Sequence, residues 1–273
     1  MMRPCQFLLA LLLSLGAWPA SAAQPGFGAW SEGAEARVRL ISGGIGEDGR
    51  LLAGIEIMLS PGWWTYWRTP GASGIPPRFD FAGSKNLGAV EVSFPLPERH
   101  EDGYGASNVY EGGVLLPLSA DVPDPSAPTE LRLSIDLGVC EEVCVPDHVE
   151  ATLIIPPGMK DRVAAATLAG ARAQVPGPPE PGALMVEQAW RSGGSDKRPE
   201  FDITVTAPED AAIFVEGPAD WFPGAPKRIT DAAVPTYRVA FDRIGARTPI
   251  EGASLRVTLA ANGRAIEQIV PIE

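Results

Sequence analysis

Apolar residues in this chain recur with a period of two, in short runs that glycine or proline closes. Ala36, Val38 and Leu40 alternate with Glu35, Arg37 and Arg39. That spacing gives a half-buried strand one apolar face; a helix would need a repeat of about 3.6 residues. Leu51 to Leu59 carries Ile55 and Ile57 on one face, and Val90, Val92 and Phe94 alternate again before Pro95. Turn formers are abundant, with 30 Gly and 28 Pro among 273 residues, so these short strands are joined by frequent reversals. The spacing predicts about eight or nine strands over residues 30–157, the pattern of a β-sandwich.

The rhythm changes after residue 157. Met159 to Ala166 is rich in strong helix formers and predicts one helix within Gly158 to Gln174. Val175 to Gly182 holds four Pro and reads as a stiff linker, so residues 158–182 connect two units. Strand patterns resume from Ala183 and predict a second, smaller β-sandwich over residues 183–273. The chain is long enough, and at 45% hydrophobic residues apolar enough, to build both cores without cross-links. Its net charge of -12, with no basic stripe, argues against a nucleic-acid partner, because phosphate binding needs clustered Lys and Arg.

The first 22 residues read as a signal peptide. Arg3 is the charged start, Phe7 to Leu15 the apolar stretch, and Ala20-Ser21-Ala22 the cleavage site. That stretch is far shorter than the roughly 20 residues that span a bilayer. Cleavage removes Cys5 and exports a chain that does not span the membrane, to a compartment where disulfides persist.

The chemistry left to the exported chain is sparse. It has two His, His100 and His148, and no serine-hydrolase elbow, phosphate loop or dense metal-ligand cluster. Its remaining thiols are Cys140 and Cys144, within Gly138 to His148. In an extended strand they would stand roughly 13 Å apart. Disulfide-bonded Cα atoms usually lie about 4.4–6.8 Å apart, so a bonded pair requires a turn at Glu141-Glu142-Val143, helical or a tight bulge. Such a ring is a weak staple, about 2 kcal/mol against about 4.7 for a 100-residue loop. Spacing leaves three readings open: a redox-active pair, a small structural ring, or a Cu(I) site of Cys140, Cys144 and His148, spaced by four. Asp136, Glu141, Glu142 and Asp147 lie close in sequence and would disfavour a thiolate. The run Trp63 to Arg68 reads either as a core strand or as an aromatic wall that brings Tyr66 or Arg68 to the cysteines. Glu98 to Tyr110 is polar and Gly-containing, and reads as a long functional loop.

Several of these segments, in this order, resemble a known family. Gly62-Trp63-Trp64-Thr65-Tyr66-Trp67-Arg68-Thr69-Pro70-Gly71, Gly74-Ile75-Pro76-Pro77-Arg78-Phe79, His100 to Gly105, and Cys140-Glu141-Glu142-Val143-Cys144-Val145-Pro146 are similar to the N-terminal periplasmic domain of DsbD-type thiol:disulfide interchange proteins, above all its ScsB-like branch. The resemblance implies an immunoglobulin-like sandwich carrying a redox-active pair. Cys144 would form the mixed disulfide and Cys140 would resolve it. Asp102, Gly103 and Tyr104 would form a cap loop over the pair, with Asp102 tuning it. The partners implied are thioredoxin-like redox proteins and a membrane thiol electron transporter, supplied as separate chains. The activity implied is that of a protein-disulfide reductase-type oxidoreductase in the periplasm, linked in that branch to copper tolerance, and no cofactor is expected. This chain has three residues between its cysteines, as the ScsB-like branch does, where the DsbD pattern has five. Gly103 also stands where that pattern has Phe.

Overall fold

The computed structural model describes residues 25–71, 73–102 (the Asp102 side chain excepted), 105–230 and 234–273. Residues 1–22, expected to be a signal peptide, and Gly103 and Tyr104 of the expected cap lie outside them.

The chain is mainly β, with one helix among the described residues. The first half contributes β1 (Ser31–Glu32), β2 (Ala36–Ile45), β3 (Leu51–Leu59), β4 (Trp64–Gly71), β5 (Arg78–Asp80), β6 (Val90–Val92), β7 (Glu98–Asp102), β8 (Gly105–Glu111), β9 (Gly113–Ala120), β10 (Thr129–Cys140) and β11 (Cys144–Ile155). They form two antiparallel sheets, one in the order β1-β2-β3-β9-β6, the other β11-β10-β4-β8-β7 with β5 on β10. This is an immunoglobulin-like sandwich. Strand β11 shows why the sequence folds so: Asp147, Val149, Ala151, Leu153 and Ile155 are buried while His148, Glu150, Thr152 and Ile154 are exposed. The inward residues of both sheets, with Trp67 at 0% exposure, make one core.

Helix α1 (Arg162–Arg172) starts at Asp161, whose carboxylate accepts the amides of Val163 and Ala164. Its Ala164 and Leu168 pack with Ile41 on the outer face of the first sheet.

The second half adds β12 (Met185–Ser195), β13 (Arg198–Thr206), β14 (Ala212–Glu216), β15 (Phe222–Pro223), β16 (Lys227–Arg228), β17 (Thr236–Asp242), β18 (Ser254–Ala261) and β19 (Arg264–Pro271). One sheet runs β12-β13-β17-β15 with β16 on β17, the other β14-β18-β19. Phe201, Trp221 and Phe241 are at the centre of its core.

One expectation needs correction. Glu98 to Tyr110 is not a long loop but the hairpin β7–β8, with Glu98 opposite Val109 and Asp102 opposite Gly105. Its polarity comes from forming the edge of the sheet, where much of the ribbon meets solvent. The Pro-rich segment Val175 to Gly182 is also held by backbone hydrogen bonds. The Gly177 amide donates to the Ala265 carbonyl (2.9 Å) and the Glu267 amide to the Gly177 carbonyl (2.8 Å), which ties it to β19.

Candidate functional site

Strands β10 and β11 pair without interruption from Thr129↔Ile155 to Cys140↔Cys144. That register sets the two cysteines opposite each other at the open end of the ribbon. They are disulfide-bonded, with Cα atoms 4.1 Å apart. The required turn falls at Glu141 to Val143, as a hairpin loop rather than a helical turn or a bulge, and Val143 at its tip is 69% exposed.

The two sulfurs are not equivalent. Cys140 is 0% exposed, while Cys144 is exposed. Both sit on the outer face of the second sheet, away from the sandwich core. Cys140 is roofed there by a separate apolar cluster of Tyr66, Val109 and Trp64. The alternation of β4 explains this, since Tyr66 faces outward while Trp67 enters the core. The run thus sends Trp67 into the core and Tyr66 to the sulfurs, on opposite faces of one strand. The Tyr66 hydroxyl lies 3.1 Å from the Cys140 Sγ and 3.2 Å from the Cys144 Sγ. Neither bonded sulfur carries a hydrogen, so the hydroxyl is the donor.

Two glycines hold the Tyr66 ring. A Cβ on Gly74 would sit 2.4 Å from Tyr66 Cε1, and Gly74 has φ +127°, a conformation that suits glycine. A Cβ on Gly138 would sit 2.8 Å from the Ile75 Cβ and 3.2 Å from the Tyr66 Cδ2. The loop after β4 thus closes over β10, with the tyrosine wedged between. Gly74→Ala is expected to lower stability by about 1–3 kcal/mol and to slow thiol exchange, because the ring must move to admit the methyl. Thermal unfolding together with exchange kinetics checks this; unchanged exchange would show that the ring position does not matter.

The hairpin β7–β8 borders the site. His100 stacks on Trp64 with ring centroids 4.2 Å apart, and its Nδ1 lies 3.4 Å from Glu111 Oε1. Of the predicted cap, Gly103 and Tyr104 fall outside the described residues. Only the backbone of Asp102 is described.

The predicted carboxylate cluster separates. Asp147 faces inward and accepts the amides of Ala34, Glu35 and Ala36 at 2.9–3.0 Å, fixing the N-terminal segment rather than the sulfurs. Asp136 is turned to His148, whose Nδ1 is 2.7 Å away, and this hydrogen bond raises the imidazole pKa. Glu141 and Glu142 remain beside the pair as exposed charges. The Cu(I) grouping also comes apart: Cys144 and His148 lie four residues apart on one extended strand, roughly 13 Å, too far to share an ion. Arg68 is not at the cysteines. It points to the second half, where Glu216 and Glu267 bind it. Burial pushes its pKa down, but the hydrogen bonds and charges of these two carboxylates outweigh that and leave it raised.

Sequence reasoning missed Gly74, Gly138 and the Trp64–His100 stack. A glycine at an outward position two residues before a cysteine was the one available signal for close approach over the pair.

Comparison with known proteins adds the following. Residues 41–156 match the family described as "Thiol:disulfide interchange protein DsbD, N-terminal". No curated protein matches the chain. Among solved structures the chain is similar to the N-terminal periplasmic domain of ScsB from Proteus mirabilis, with a TM-score of 0.68 and 19% identity over 91% of this chain and 98% of that one. At that identity the likeness speaks for the fold.

Proposed function

We propose that this chain is a periplasmic electron relay working through Cys140 and Cys144, a reading supported by the match of residues 41–156 to the DsbD N-terminal family. In this reading residues 30–157 form the redox domain, residues 183–273 a second sandwich, and the partners are thioredoxin-fold proteins and a membrane thiol transporter.

One observation carries the reading: an exposed residue, Cys144, is bonded to a buried one, Cys140, beneath a tyrosine hydroxyl that reaches both sulfurs. A donor's thiolate attacks Cys144 Sγ, the bond to Cys140 breaks, and Cys140 leaves as a thiolate. The Tyr66 hydroxyl donates to that thiolate, a stronger bond than it makes to a neutral sulfur. The donor's second thiolate then attacks its own bonded sulfur and releases Cys144. The donor ends as a disulfide, and two electrons and two protons have passed to the pair. Toward a client the steps reverse: Cys144 attacks the client disulfide and Cys140 resolves the mixed disulfide. The outward site also favours this reading over a structural ring, since the bond joins neighbours already held by a twelve-residue ribbon.

No helix among the described residues is long and apolar enough to cross a membrane. The periplasmic assignment draws on the leader-like residues 1–22 and on the location of the ScsB domain.

Equilibration with glutathione buffers tests the proposal. The pair is expected to have a reduction potential above about -300 mV, within reach of thioredoxin-fold proteins. A potential well below that value would mark a structural bond and end the reading.

A further inference from the structure

Strand β4 is irregular directly after the tyrosine that touches the sulfurs. Its pairing with β8 runs regularly from Trp64↔Glu111 to Tyr66↔Val109, then shifts before Gly71↔Ser107. Such a bulge re-aims the side chains beside it and keeps its shape only if the surroundings hold it. Here the hold comes from the other half of the molecule. Glu216, at the end of β14 and 8% exposed, accepts from Arg68 Nε at 3.0 Å, from Arg68 Nη2 at 2.6 Å, and from Thr69 Oγ1 at 2.5 Å. Glu267 accepts from the same Arg68 Nη2. On the near side Asn108 Nδ2 donates to the Thr69 carbonyl at 2.9 Å. The next residue, Pro70, lies against Gly74, where an added Cβ would come within 2.8 Å of the Pro70 Cβ, and Gly74 is the glycine on which the Tyr66 ring rests.

We infer that Glu216 is a positioning residue for the redox pair: through Arg68 and Thr69 it sets the bulge that fixes the Tyr66 hydroxyl over Cys140 and Cys144. The second half then does more than space the first, because one of its buried carboxylates adjusts how readily the disulfide is reduced. The inference rests on the redox reading above and deepens it. Its direction follows from the hydrogen bond: the hydroxyl favours a thiolate over a bonded sulfur, so displacing it favours the disulfide.

The experiment uses the full chain. Two glutathione molecules reduce the Cys140–Cys144 bond, giving two cysteine thiols and one glutathione disulfide. The equilibrium constant is measured for wild type, Glu216→Gln and Thr69→Val, the last keeping side-chain shape while removing the hydroxyl. Asp202→Asn is the control. Asp202 is a buried carboxylate of the second half, paired with Arg238 at 2.7 Å, and takes no part in the bulge. Both test variants are expected to lower the constant by about threefold or more, the scale of coupling between linked residues, while Asp202→Asn leaves it unchanged. In a Tyr66→Phe background Glu216→Gln should have no further effect. Unchanged constants in both test variants, an equal shift in the control, or additivity with Tyr66→Phe would overturn the inference. Failure of the redox reading shows separately, as a wild-type potential well below about -300 mV whatever the ratios among variants.

Discussion

Cys144→Ala is expected to abolish thiol exchange with oxidised glutathione, whereas reduced Cys140→Ala should take up one glutathione and keep it. The two cysteines are four residues apart and directly opposed in the ribbon, so sequence distance cannot separate them. Access can. Cys140 is 0% exposed beneath Tyr66, Val109 and Trp64, and its sulfur meets another thiol only if that cover is displaced. Cys144 is an exposed residue. In the wild-type chain Cys144 thiolate attacks glutathione disulfide and releases one glutathione. Cys140 then attacks Cys144 Sγ, closes the internal bond and releases the second. Without Cys140 that last step has no second thiol beside Cys144. The adduct should outlast the wild-type one by at least about a hundredfold, since an aligned intramolecular thiol far outcompetes one in dilute solution. Intact-mass measurement over time reads both variants. Equal adduct formation on Cys140 in the Cys144→Ala chain would show that the aromatic cover does not govern the order of attack.

How much of this site was legible beforehand depended on the reach of each contact. The cysteines, the turn between them and the period-two strands are local, and a local pattern is written in consecutive residues. Tyr66 was legible as one of two readings, because a strand with large residues on both faces presents one set to a core and the other to whatever lies outside. The distant partners left no trace. Asp147 looks like a neighbour of the cysteines in sequence, yet its outward neighbours Pro146 and His148 show that it faces the other way, toward the amides of residues 34–36. Hairpin β7–β8 was hidden because an edge ribbon carries polar residues on a pattern resembling a loop. Glu216 lies 148 positions from Arg68, and nothing periodic connects them.

The largest stability loss is expected from Phe214→Ala, at about 3–5 kcal/mol. Strand β14 serves two interiors at once by its alternation. Ile213 and Val215 are buried in the second core, while Phe214 belongs to the first. The Phe214 ring is 3% exposed, lies 5.7 Å from the Trp67 ring and is covered by the Arg99 guanidinium at 5.2 Å. Arg99 also donates to the Ile213 carbonyl at 2.8 Å, so β7 is held by the same strand. Removing the ring therefore opens a cavity where the halves meet and strips Trp67 and Arg99 of a common partner. Burying Arg99 against a void makes the loss larger than area alone predicts, because a guanidinium without its aromatic cover keeps its desolvation cost. The consequence reaches beyond the midpoint. With the wedge gone, the halves should unfold separately, and denaturant titration should resolve two transitions where the wild type gives one. Phe201→Ala is the comparison: Phe201 is as deeply buried but wholly within the second core. It should cost a similar amount and leave the first-half transition where it was. A loss under about 1 kcal/mol for Phe214→Ala, within the ordinary range for a single substitution, would show that the halves do not depend on that contact.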